Sequence, residues 1–221
     1  MLRPFTRRCR ATACMQAETG RCPMPVSDPP PAADTLDLTV RTGLPQDLRF
    51  LLARYPRPDW HAHPGFGPMT RFYLDRHALF RELQDLTRRE LENLIERRRS
   101  PEAFASRFQR LARIFLGEIA THHAIEDHHY FPALARLEPR LARGFDLLEA
   151  DHRRLHEGLE AYAQDANALL QALAGAGERE AAGAMLDRSA ALRALIARHL
   201  EDEEELVVPV MLDRGEDALE L

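Results

Sequence analysis

The chain has 221 residues, 45% hydrophobic, 29% charged and 7% aromatic, with a formal charge of −5. That size and balance fit one globular domain with some extra length and exclude a fibrous or wholly disordered chain. No run of about 18 uncharged apolar residues occurs, which argues against a membrane span, and the negative charge argues against a nucleic-acid partner.

All 30 basic residues are Arg, a composition bias from which no function is read, whereas seven of the ten His fall between His122 and His199. Residues 1–23 hold five Arg against one Glu, with Cys9, Cys14 and Cys22 in no C-x-x-C spacing. These cysteines suggest neither a disulfide framework nor a zinc knuckle. No apolar secretory run is present there, so a cytoplasmic location is expected, and Met24 is a candidate start of translation. Residues 1–35 are read as a disordered or mis-called tail with a Pro-rich linker.

Residues 36–68 combine a TLDLTV run, a short helix at PQDLRFLLARY and the Pro- and Gly-dense PRPDWHAHPGFGP, and are expected to form a strap or lid. From residue 69 the apolar residues recur at three and four, predicting helices near 69–99, 101–138, 139–174 and 178–213. Ser100-Pro101-Glu102 supplies a cap, a first-turn proline and a dipole-matched carboxylate, and Gly175-Ala176-Gly177 supplies the last break. Helices of about 30 residues are about 45 Å long, and short turns force them antiparallel. An all-α, up-down antiparallel four-helix bundle over 69–213 is predicted, with an acidic tail at 214–221. The nine acids against one Arg in residues 201–221 are expected on solvated surface.

The second predicted helix contains HHAIEDHHYFP and the fourth HLEDEEELVVP, which share the frame H-x3-E-x5-P through His122, Glu126, Pro132 and His199, Glu203, Pro209. Spacing of four puts His and Glu on one face, able to ligate one cluster. His77 and His152 lie in matching places on the first and third helices, 45 and 47 residues before His122 and His199. The chain therefore reads as a duplicated helical hairpin that converges four His and two Glu at one level. Such a set suits a non-haem di-iron or di-manganese centre bridged by the carboxylates.

His156, one turn after His152, is either a fifth nitrogen or a residue that lines or supports the site; counted as a ligand, it completes the set. Five imidazoles, four carboxylate oxygens and two bonds to a shared oxo or hydroxo group fill about eleven of about twelve positions on two six-coordinate ions, leaving one for O2 or NO. His129 could face the core, His123 and His128 are expected to point away, and Asp127 or Glu204 replaces its neighbouring Glu if the register shifts by one. Asp151 is a plausible orienting carboxylate or a solvated one. His61 and His63 are assigned to an ordered loop.

These residues resemble the hemerythrin-like, or HHE cation-binding, family over about 69–213, and the length and N-terminal extension are similar to the iron-sulfur cluster repair members. The resemblance implies His77, His122, Glu126, His152, His199 and Glu203 as iron ligands, with His156 matching the second third-helix His of the oxygen carriers. The sequence departs from those carriers in helix four, where they have His and Asp five apart and this chain has His199 and Glu203 four apart. The expected function is binding of O2 or NO at an open position of two Fe ions, with Mn as another metal, in sensing or oxidative and nitrosative stress. Alternatives are a di-iron enzyme or iron donor that reduces NO or peroxide or repairs iron-sulfur clusters, served by a redox or iron-acceptor protein, and a metal-free helical interaction module.

Overall fold

The computed structural model describes residues 36–175 and 177–219; the tail and linker expected at 1–35 lie outside the described residues. The helices are α1 (Phe50–Arg54), α2 (Pro68–Ile95), α3 (Pro101–Ile125), α4 (Phe131–Leu137), α5 (Ala142–Ala172) and α6 (Glu178–Arg214), with no strand among the described residues.

Local sequence explains the boundaries. Pro68 and Pro101 open α2 and α3, where a missing N–H costs nothing, and the Ser100 hydroxyl accepts from Ala103 N. The expected helix 101–138 is interrupted by a single π turn, Glu126–Tyr130, in which Phe131 N–H reaches back to the Glu126 carbonyl. Pro132 follows directly and cannot donate to the helical ladder, so a one-residue slip just before it is accommodated cheaply.

Two apolar clusters fill the bundle. One gathers Phe80, Phe104, Phe108, Phe115, Ile119, Leu155, Leu192, Ile196 and Leu200; the other gathers Tyr73, Phe131, Leu134, Leu148, Leu206, Val207 and Val210. Along α2 and α5 the chain passes from the second cluster to the first, and along α3–α4 and α6 from the first to the second. That alternation is the up-down antiparallel order. His77, His122, Glu126, His152, His199 and Glu203 fall at the crossing point on their respective elements, so the polar residues form one layer between two apolar plugs.

Residues 36–67 pack onto this end of the bundle. Leu44, Leu48 and Leu51 join the second cluster, while Trp60 closes over Val208 and Leu212 with its indole N–H donating to Tyr55 O at 2.7 Å. Each such fully buried apolar side chain contributes about 2 kcal/mol.

This cover overturns the expectation that the acid-rich run is solvated. Asp202, Glu203, Glu204 and Glu205 are all buried, as are Leu206 to Leu212, because α6 is enclosed by α2, α5 and the strap. The C-terminal segment is likewise engaged. Glu216 accepts from Met69 N and Thr70 N at 3.0 and 2.6 Å, capping α2, and Leu219 is buried. No described helix is long and apolar enough to cross a membrane.

Candidate metal centre

Four helical elements bring seven buried residues that could hold a metal together in two groups. His77, His122, Glu126 and Glu203 form one, and His123, His152 and His199 the other, each with its ligating atoms within 4.8 Å of one another. His77 Nε2 and His122 Nε2 stand 3.1 Å apart, and His152 Nε2 and His199 Nε2 are also 3.1 Å apart.

The carboxylates join the groups. Glu126 places one oxygen 3.1 Å from His122 Nε2 and the other 3.7 Å from His152 Nε2. Glu203 places one 3.3 Å from His77 Nε2 and the other 3.6 Å from both His152 and His199 Nε2. Each glutamate therefore spans the two histidine groups with separate oxygens, the disposition of a bridging ligand.

All four of these carboxylate oxygens, together with His123 Nε2, are buried without a hydrogen-bond partner. An unpartnered buried carboxylate costs several kcal/mol, and a cation facing these atoms would remove that cost. The donor set of imidazole and carboxylate suits Fe, Mn or Zn, so the residues fit a metal.

Electrostatics agree with this. Burial, reinforced by the charge of Glu203, pushes the Glu126 carboxyl well above its usual range. Burial acts on Glu203 in the same sense but is outweighed by His199, His152, His77 and His122, which hold it well below. The two carboxyls are thus pushed in opposite directions in the metal-free chain. Burial also drives His122 down to about 3 and His123 well below its usual value, which favours neutral rings with one nitrogen free to ligate.

Behind the histidines stand further carboxylates. His77 Nδ1 donates to Glu204 at 3.0 Å, His152 Nδ1 to Asp127 at 2.7 Å and His199 Nδ1 to Asp151 at 3.4 Å. A ring held this way presents the Nε2 lone pair to the ion. Asp127 and Glu204 orient histidines rather than substituting for their neighbouring glutamates.

The structure departs from the sequence reading at three histidines. His156, expected as the fifth nitrogen, has a side chain 67% exposed and paired with Glu160 at 3.2 Å. The inward stripe of α5 runs through Leu148, Asp151, His152, Leu155 and Leu159, so residue 156 falls one position outside it. His123, expected to point away, is buried and stacked on His152 with ring centroids 4.0 Å apart. It follows Ile119 by four and His122 follows it by three, so the two straddle the inward stripe of α3. His129 would face the core in an unbroken helix seven residues beyond His122, but the π turn rotates it outward and it is exposed. His61 is exposed and packs on Phe66 with the rings tilted, while His63 packs edge-on to Tyr55.

Tyr73 was not singled out by the sequence. It precedes His77 by one turn, packs 4.6 Å from His77 and 5.7 Å from His122, and its buried hydroxyl has no partner.

No curated protein and no solved structure matches the chain. The model of the hemerythrin HHE cation-binding domain matches residues 69–211, which span the bundle and every residue of the two groups. A duplicated His-Glu frame, an antiparallel bundle and this match agree, and the chain belongs to the hemerythrin HHE cation-binding domain family.

Proposed function

We propose that the chain holds two iron ions, one by His77 and His122 and the other by His123, His152 and His199, with Glu126 and Glu203 bridging, and binds O2 or NO at the two-histidine ion. The observation that carries this reading is the unequal nitrogen count: the groups share both carboxylates but hold two and three imidazoles. Iron in such a site supplies redox-active d electrons and an open position for a diatomic ligand. Manganese suits the same donors.

The protein's own part is to orient and exclude. Glu204, Asp127 and Asp151 fix three imidazole rings, while the apolar plugs on either side keep bulk water from the layer. Tyr73 places a free hydroxyl beside the two-histidine group, where it can donate to a bound ligand. In the metal-free chain, burial, with the neighbouring carboxyl groups, holds that phenol well above its usual pKa. A sensing or stress-handling role follows from a site that binds a gas inside a closed protein.

The test is metal per chain on anaerobically purified protein, with spectra before and after O2 and then NO. About two irons and a ligand-dependent charge-transfer band are expected, with His122→Ala losing iron. Turnover of NO or peroxide with an added electron donor would move the protein to the enzymes. Absence of metal, with stability unchanged by chelation, would overturn the reading in favour of a helical interaction module.

A further inference from the structure

The family match begins at residue 69, yet two arginines of the preceding strap reach the ligand histidines. Arg41, buried, grips Asp151 with both terminal nitrogens and donates from Nε to Asp202 at 2.7 Å. Asp151 in turn accepts from His199 Nδ1 at 3.4 Å. Arg57 donates to one oxygen of Glu204 at 2.5 Å, and the other oxygen of Glu204 accepts from His77 Nδ1 at 3.0 Å. The strap thus holds one histidine of each group through an arginine–carboxylate relay. His152 is served by Asp127 alone, with no strap residue involved.

Stability does not account for this arrangement. The strap already docks through Leu44, Leu48, Leu51 and Trp60, and a buried ion pair commonly adds no more stability than an apolar pair of the same volume. What an arginine fork does supply is a fixed carboxylate plane, which fixes the ring that donates to it.

We propose that residues 36–67 form a metal-retention clamp in which Arg41 and Arg57 position His199 and His77, so that a segment outside the family domain sets how fast the centre releases its metal. The clamp rests on the two-metal reading above. Arg41 and Arg57 are positioning residues, neither touching an ion. Arg41 has the larger share, because Glu204 keeps a second partner, Arg81, at 2.8 Å when Arg57 is removed.

The experiment loads the full chain anaerobically with ferrous iron and follows its release to an excess of a ferrous chelator, alongside thermal unfolding of the metal-free protein. Arg41→Met should speed release about 10-fold, the low end of the losses seen when a group that directly orients a ligand is removed, and Arg57→Gln by less, about 3-fold. Arg57→Gln should leave metal-free unfolding unchanged and should add nothing in a Glu204→Gln background. Arg41→Lys, which keeps the charge without the fork, should restore only part of the retention. Wild-type release rates in both variants, or acceleration that only parallels loss of metal-free stability, would overturn the clamp. If Arg41→Met does not fold, the half-exposed Arg57 decides the matter alone. A wild-type chain that takes up no iron would instead remove the two-metal reading, and the clamp with it.

Discussion

The two hairpins, α2–α3 and α5–α6, repeat one frame and arrive at unequal ends. Each supplies a histidine from its first helix and a His-x3-Glu from its second, and each hairpin's own pair of imidazoles meets at 3.1 Å. The repetition reaches further out: Asp127, one after Glu126, orients His152 of the other hairpin, and Glu204, one after Glu203, orients His77. Symmetry breaks at His123, which belongs to the first hairpin but stacks on His152 of the second. The first hairpin therefore gives away a nitrogen, and its own group is left the more open, next to Tyr73. Duplication sets both carboxylates between the two histidine groups, and one departure from duplication makes those groups unequal.

The hairpins differ in their surroundings as well. Beyond Glu126 the first passes through a π turn and leaves His128 and His129 exposed, whereas α6 continues unbroken and buries residues 202–212. Strap residues lie over the acid run of α6, which explains how four consecutive acids come to be buried there. Arg41, Arg49, Arg57 and Arg198 face them and keep the run from being uncompensated.

The most severe way to break the comparison is to remove what both halves share. Glu203→Ala should reduce bound metal from about two ions towards none, because one side chain serves both groups; metal analysis of the purified variant checks this. Withholding metal from the wild type should lower its stability by about 4 kcal/mol relative to free metal at a thousand times its Kd, measured by urea unfolding with and without iron. A smaller loss would mean that the carboxylates find other partners.

The asymmetry itself is tested by one pair of variants. His123→Ala should weaken retention of one ion selectively, leaving about one tightly held iron per chain, whereas His156→Ala should change neither metal content nor stability by more than about 0.5 kcal/mol. Loss of metal in His156→Ala with none in His123→Ala would restore the sequence-based choice of His156.

A finer test addresses the connection between the hairpins. Arg140 lowers the Glu138 carboxyl to about 2 against an opposing effect of burial, with Arg214 assisting. A carboxylate depressed in the folded state stabilises above its unfolded value of 4.5 and loses that contribution as pH falls through about 2. Glu138→Gln in the metal-free protein should therefore cost about 1 kcal/mol at neutral pH. The gap from wild type should close between those two values, as followed by urea unfolding across that range.

Periodicity and spacing alone determined the four long helices, their antiparallel order and the six residues of the duplicated frame, because a helix converts spacing of three and four directly into a shared face. Choosing the fifth histidine was beyond them. His156 and His123 are each one turn from an inward residue, and only the packed positions of Leu155 and Ile119 show which of them lies on the stripe. Local sequence also holds Pro132 but not the π turn before it, since a ladder can absorb a proline by kinking or by slipping, and the packing of Phe131 and Leu134 selects the slip. The acid run at 202–205 reads as solvated surface because its burial depends on arginines up to 161 positions away in the chain. Long-range partners of that kind leave no local periodicity, and so tertiary structure alone decided which carboxylates lie between the histidine groups, which accept from a histidine ring and which are covered.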